Sequence, residues 1–397
     1  MTRVGFVFSF DDGWLGGINY YRNLLSALYA LPERKVEAVI FTGHRSPEKH
    51  FDGFPSIEIV HSRLFDKGNP FWCIRRIMRQ GLSHDFLFER LIKLHGIAVL
   101  SHSDWLPGNA LIPTIGWIPD FQHVRLPKFF SIDEIAGRNK HFRDMCKYCS
   151  TIIVSSFDAQ ADLSRFDPCC TSKSEVLQFV VAPNKPETRL PGRGELEQKY
   201  EFSGKYFLLP NQFWKHKNHR VVIEALGLLG RAGKRVLVLA TGSTTDYRHP
   251  EHFNSLMERA KELNVLDSFS HVGLVPAADL LGLMRDALAI INPSFFEGWS
   301  TTVEEAKALG QHAILSDIPV HREQDPALAT YFPPEDANAL AAILWEVWNR
   351  PGADQLDRIE LARRVTDERW LEFARKYQTI VHRLVENCGF IPARRHL

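Results

Sequence analysis

Two series of short apolar runs, each run followed by a helical pattern, constrain this chain more than any single motif. VGFVFSF, KVEAVIFTG, IAVLSH, TIGWIP and TIIVSSF read as buried strands, and INYYRNLLSALYAL, after Gly16-Gly17, reads as an amphipathic helix. Strands that alternate with helices predict a parallel sheet covered on both faces. Residues 182–204, APNKPETRLPGRGELEQKYEFSG, are polar and rich in Pro and Gly, as a linker is. The alternation then restarts: YFLLP, RVLVLATGS, SHVGL and LAIINPS are strands, and HRVVIEALGLLG, SLMERAKEL and ADLLGLMRDA are helices. The expected class is therefore α/β, with two doubly wound parallel-sheet domains over residues 1–185 and 205–372. A last amphipathic helix, RWLEFARKYQTIVHRLVEN, carries the stripe Trp370, Phe373, Tyr377, Ile380 and Leu384, and the segment from about 373 to 397 is expected to pack back on the first domain.

With 48 Lys and Arg against 47 Asp and Glu, the formal net charge is +1, so nothing global points to nucleic acid or to a strongly anionic partner. Charged recognition must be local. The start MTRVGFVFSF lacks the apolar segment and small-residue cleavage site of a secretory signal, which predicts a cytoplasmic protein. Six cysteines are too sparse and irregular for a disulfide scaffold. Cys146, Cys149, Cys169 and Cys170 could supply thiolates to zinc, but they read better as small core residues, and no metal is expected.

Ligands of doubly wound sheets bind at the carboxyl ends of the strands, so function is expected where the strand ends of the two domains face each other. In the second domain that edge holds PSFFEGWSTTVEEAKALG, residues 293–310. LAIINPS ends a strand and TTVEEAKALG is a helix that Gly310 stops, so amides of Gly298, Trp299, Ser300 and Thr301 lie at a helix start and suit an anion. Thr301 with Glu304, or Thr302 with Glu305, has capping-box spacing, and Glu304 is read as that cap or as solvated. Glu297, on the loop, caps nothing obvious. Carboxylates beside an anion site make sense where hydroxyl-rich groups flank a phosphate and cations elsewhere neutralise it. Lys215 and Lys217 in PNQFWKHKNH supply cations at the same edge, though lysines at a helix start are commonly just solvated.

The run S-x-x-E-G-W-S-x(4)-E-A-x-x-L-G-x(3)-I-L-S-D, together with Gly16-Gly17, HKNH before VVIEAL, VLATGS, HVGLV and NPSFFEG in order, resembles the family 4 retaining glycosyltransferases of the GT-B fold. That resemblance implies two Rossmann-like domains with a cleft between them and a nucleoside-diphosphate sugar as donor. By it, Glu305 takes the ribose hydroxyls and Glu297 those of the transferred sugar. Lys217, helped by Lys215, holds the diphosphate with the Ser300 and Thr301 amides. Gly273, Leu274 and Val275 line the base, Gly242 stands in the turn after VLAT, and Gly16 and Gly17 let the backbone approach the leaving phosphate. Asn211 stands where the family usually has an arginine, and Lys215 replaces its charge but not its bidentate fork. In the first domain Asp120 and His123, in WIPDFQH, stand near the place of a family histidine. Either is a candidate catalytic group or a turn aspartate and a structural histidine.

The implied reaction is hexosyl transfer with retention to a saccharide or lipid-linked saccharide of a surface polysaccharide, with GDP-mannose somewhat favoured as donor, no cofactor, and no D-x-D pair to hold a divalent ion. An NAD-dependent oxidoreductase is disfavoured because FDDGWLGG replaces G-x-G-x-x-G after the first strand. A nucleotide-sugar epimerase and a non-catalytic nucleotide-sugar-binding subunit remain as alternatives. The segment NPFWCIRRIMRQG mixes Phe71, Trp72, Ile74, Ile77 and Met78 with Arg75, Arg76 and Arg79. It fits either a peripheral contact at the inner membrane face or, as the preferred reading, an ordinary helix with an apolar core face and solvated arginines.

Overall fold

The computed structural model describes residues 1–8, 15–47, 51–81, 84–102, 106, 112–181, 189–350 and 356–387. Parts of FDDGWLGG and of the 182–204 linker, and the whole segment after 387 with Cys388, lie outside them. The chain clusters into two compact units, one of residues 1–121, 133–182 and 368–397, the other of 122–132 and 183–367. Asp120 thus falls in the first unit and His123 in the second.

In the first unit β1 (Thr2–Phe8), β2 (Val36–Thr42), β3 (Glu58–His61), β4 (Val99–Ser101), β5 (Thr114–Ile118), β6 (Thr151–Val154) and β7 (Ser174–Val176) form a parallel sheet in the order β3-β2-β1-β4-β5-β6-β7. The order reverses between β1 and β4, where a doubly wound sheet opens its ligand crevice. The helix Leu15–Ala30 already contains Gly16 and Gly17, so these glycines form its first turn rather than a turn before it. Gly16 is exposed, and a Cβ there would meet nothing within 4 Å.

At the end of β4 a buried polar chain runs beside this reversal. The Tyr377 hydroxyl donates to Ser101 Oγ at 2.8 Å, Ser101 Oγ lies 2.7 Å from His102 Nδ1, and His102 Nε2 lies 2.8 Å from Tyr20 Oη. His102 adopts φ +63°, a left-handed conformation that a histidine takes at a cost, and burial pushes its imidazole down to about 3. The long helix Leu356–Asn387 brings Phe373, Ala374, Tyr377, Ile380 and Val381 into this unit's core, and Gln378 Oε1 accepts from the Lys35 amide at 2.6 Å.

The helix Pro70–Gly81 overturns the preferred reading of its segment. Phe71, Ile74 and Ile77 are exposed, Ile77 to 68%, whereas Arg75 is buried, 2.6 Å from Asp85 and stacked over the Phe65 and Phe88 rings. Asp85 anchors Arg75 inside, and on a 3.6-residue repeat that turns the isoleucines outward. The cysteines Cys146, Cys149 and Cys170 pack in a core cluster with Phe121, Phe142 and Met145.

The second unit has β8 (Phe207–Leu209), β9 (Val238–Ala240), β10 (Phe269–His271), β11 (Ile290–Asn292), β12 (Ala313–Ser316) and β13 (Ala329–Phe332), all parallel, in the order β10-β9-β8-β11-β12-β13. Strand alternation divides its core. Phe207, Leu209, Val238 and Ala240 pack with the helices His219–Arg231, His252–Glu262 and Ala337–Asn349, whereas Leu208, Leu239 and Leu315 pack with Ala277–Asp286 and Thr301–Ala308. The order reverses between β8 and β11.

Candidate active site

The loops after β8 and β11 meet at that reversal. After β8 the chain passes Asn211, makes a 3-10 turn at Lys215–Lys217, and reaches Asn218 at φ +56°. Asparagine tolerates this left-handed conformation, and its buried amide donates to the Pro293 carbonyl at 3.1 Å and the Pro334 carbonyl at 2.8 Å, tying the lysine turn to the β11 loop. Lys217 Nζ then lies 2.6 Å from Glu297 Oε1, both groups largely buried. Ser294 Oγ lies 2.6 Å from the same oxygen and 2.8 Å from Asn292 Oδ1, with one proton for two acceptors. Burial pushes the Glu297 carboxyl up, but Lys217 and the Ser294 hydroxyl more than offset it and hold it below its ordinary value. Glu297 is therefore a carboxylate whose second oxygen remains to accept a hydrogen bond.

The helix Thr301–Ala308 is capped differently from expectation. Ser300 is the N-cap, its hydroxyl accepting from the Val303 amide at 3.3 Å and from Asn292 Nδ2 at 2.8 Å, so neither threonine–glutamate pair forms a capping box. The Ser300 amide donates to Gln324 Oε1 at 3.2 Å, while the Thr301 amide, first of the helix, has no intrahelical acceptor. Glu304 is buried rather than solvated and accepts from Gln324 Nε2 at 3.1 Å, with Lys307 at 3.4 Å. Gln324 gave no signal in sequence, because only the fold brings it to this loop.

Glu305 keeps some exposed surface, yet no hydrogen bond or ion pair holds its carboxyl among the described residues, and burial pushes it up to about 7. A carboxyl raised from 4.5 to about 7 contributes stability that is full below 4.5 and lost as pH rises through 7. Glu305→Gln is accordingly expected to unfold about 1–3 kcal/mol less readily than the parent at pH 8, with the gap closing toward pH 4.5. Urea unfolding at both pH values checks this.

Asn211 is buried, its amide 3.3 Å from Asn292 Oδ1 and its carbonyl oxygen 2.6 Å from where a Cβ on Gly242 would stand. Gly242, at φ +125°, is thus required by the close passage of residues 211 and 212. Gly273 is left-handed with open space above it, Leu274 is 71% exposed, and Val275 packs on the core. Gly298 and Trp299 complete the β11 loop, the indole 9% exposed. His123 is fully buried beside Phe130, and Asp120 is partly buried at the end of β5. Lys215 does not join Lys217. Its amide donates to Asp246 Oδ2 at 3.1 Å and its ammonium stands 5.5 Å from the Phe129 ring, because residues two apart on a 3-10 turn point in different directions. His321 accompanies Glu297 instead, its Nδ1 donating to the Ser316 carbonyl at 2.9 Å while burial pushes it down to about 4.

Carboxylates, a lysine and a helix start gathered at a switch point suit a phosphorylated, hydroxyl-rich ligand. Residues 193–364 match the family model of glycosyl transferases group 1. A curated relative, the O-antigen chain mannosyltransferase RfbU of Salmonella typhimurium, is 28% identical over 52% of this chain, and the chain spans about half, 53%, of that relative's length. A glycosyltransferase structure from Rickettsia africae aligns over 97% of this chain and 99% of its own, with 18% identity and a TM-score of 0.68. HepE of Anabaena, solved with UDP-glucose, aligns over 98% and 100%, with 12% identity and a TM-score of 0.62. These likenesses establish the GT-B fold, as expected from the sequence.

Proposed function

We propose that the protein is a retaining glycosyltransferase of the family 4 type, which moves a hexose from a nucleoside-diphosphate sugar to a saccharide or lipid-linked saccharide in surface polysaccharide synthesis. The observation that carries this reading is the Lys217–Glu297 pair at the β8/β11 reversal with the unpartnered Glu305 carboxyl on the adjoining helix, inside the segment that matches the family model. GDP-mannose is the favoured donor because the curated relative is a mannosyltransferase.

In the proposed reaction the bond from the anomeric carbon to the diphosphate breaks as the acceptor oxygen attacks on the same face, and the acceptor's proton passes to the departing diphosphate. Negative charge grows on that diphosphate, where Lys217 and the Thr301 amide would meet it, so no divalent ion is needed in this scheme. Glu297 would accept a hydroxyl of the transferred sugar and Glu305 the ribose diol. Incubation with GDP-mannose, UDP-glucose and UDP-galactose should release one nucleoside diphosphate, and proton NMR of the glycoside should show the donor's anomeric configuration. An inverted product, an epimerised free sugar or no release from any donor would contradict the reading.

The proposed location is the cytoplasmic face of a membrane. Among the described residues no helix is long and apolar enough to cross one. Support comes from the exposed Phe71, Ile74 and Ile77 on a helix that also carries Arg76 and Arg79. Ile74→Glu with Ile77→Glu is expected to lower partition onto phosphatidylglycerol vesicles at least about tenfold, read by co-sedimentation, since two exposed apolar side chains that would enter the lipid interface are exchanged for charges. Unchanged partition would remove the membrane contact.

A further inference from the structure

A cavity of about 630 Å³ opens in the second unit on the side of the helices His219–Arg231 and His252–Glu262. Those helices cover the opposite sheet face from the helix that carries Glu305. The cavity wall contains Lys128, Lys215, Arg220 and Arg248, with Phe129 and Phe295 beside them. Four permanent cations surround this space, and Glu251 is the carboxylate in its wall.

The positive charge is poorly compensated. Neither Lys128 nor Lys215 has a carboxylate partner among the described residues, and each ammonium stands 5.5 Å from the Phe129 ring. Arg248, its side chain only 6% exposed, lies between the rings of Phe130 at 4.5 Å and Trp214 at 5.4 Å. Its nearest acid is Asp246 at 3.7 Å, whose oxygens already accept the Lys215 amide at 3.1 Å and the Arg248 amide at 3.0 Å. Arg220 pairs with Glu224 at 3.7 Å, whereas aromatic faces hold Lys128, Lys215 and Arg248 in place without neutralising their charge. The histidines in the wall respond to the same field: burial and then Lys215 hold His249 down, and burial, with Lys215 adding to it, does the same to His252.

We propose that this cavity is a second anion site, separate from the donor site, which binds a sugar phosphate or sugar diphosphate. The cations take the phosphate oxygens, and Phe129 and Phe295 offer apolar walls to the ring. The two lysines of one turn thereby serve two sites, Lys217 facing Glu297 and Lys215 facing this cavity. The anion site stands on its own geometry; only its description as separate from a donor site rests on the transferase reading.

Titration calorimetry with inorganic pyrophosphate tests it on the parent, on Lys128→Gln/Arg220→Gln and on Lys217→Ala. Both cavity substitutions fall on exposed side chains, so folding is preserved. Binding should weaken about tenfold or more in the double variant and stay within about threefold in Lys217→Ala, while GDP and UDP binding to the double variant is unchanged. Loss that follows Lys217, equal binding by parent and double variant, or no pyrophosphate binding would overturn the second site. Failure of GDP and UDP to bind the parent would instead count against the donor site alone. Competition by soluble glucose 1-phosphate marks a free sugar phosphate as the ligand, and competition by phosphatidylglycerol vesicles marks a lipid headgroup as the source.

Discussion

Lys217→Ala is expected to cost about 3–5 kcal/mol of stability at pH 7.5, because it leaves the Glu297 carboxylate buried without its cation. The same change should lower sugar transfer at least about a hundredfold, the scale on which a positioned positive group acts on a leaving diphosphate. The two effects separate in a double variant. Lys217→Ala with Glu297→Gln replaces the stranded charge by an amide that can still bond the Ser294 hydroxyl, so most of the stability returns while transfer does not. Urea unfolding of the four members of this cycle, alongside a transfer assay, reads both quantities. A Lys217→Ala protein as stable as the parent would mean that the pair is not the buried ion pair described here.

The second large effect is acid lability. His102 and His219 are pushed down to about 3 and His321 to about 4, and His216 is held well below 6.5, in each case chiefly by burial. A histidine lowered in the folded state stays neutral there while the unfolded chain takes up a proton below 6.5, so stability is present above 6.5 and is lost as pH falls toward the folded values. Each contributes about 1.4 kcal/mol of loss by pH 5.5, and four give about 5.6 kcal/mol, comparable with the whole stability of many domains. Glu305 works in the other sense and offsets roughly one histidine. The urea midpoint should therefore fall between pH 7.5 and pH 5.5. Because His216, His219 and His321 lie in the second unit and His102 in the first, the second unit should be lost first. A flat or rising midpoint would show that these imidazoles are not buried neutral.

The central strands were legible because they are buried on both faces and read as continuous apolar runs, as in β1, β2 and β6. β3, β7 and β13 were not, since each is a sheet edge with half-exposed positions and therefore lacks that run. The loop chemistry was partly legible. Glu297 and Lys217 could be named as candidates, but nothing in sequence shows that they touch, since 80 residues separate them. The cap could not be assigned either, because Ser300, Thr301 and Thr302 are all competent and Gln324, far along the chain, decides which is used. Lys215 and Lys217 looked alike until the 3-10 turn sent them apart. The amphipathic helix Pro70–Gly81 misled for a related reason: periodicity finds an apolar face but does not say which way it points, and Asp85 settles that by holding Arg75 inside.

The most direct measurement is calorimetric binding of GDP-mannose and UDP-glucose to the parent and to Glu305→Ala. Binding of one of them by the parent, weakened at least about tenfold in Glu305→Ala, is the predicted result, since an unpartnered carboxyl is the group a ribose diol would occupy. Equal binding by both proteins, or binding of neither donor by the parent, would contradict the assignment of the β8/β11 reversal as a nucleotide-sugar site.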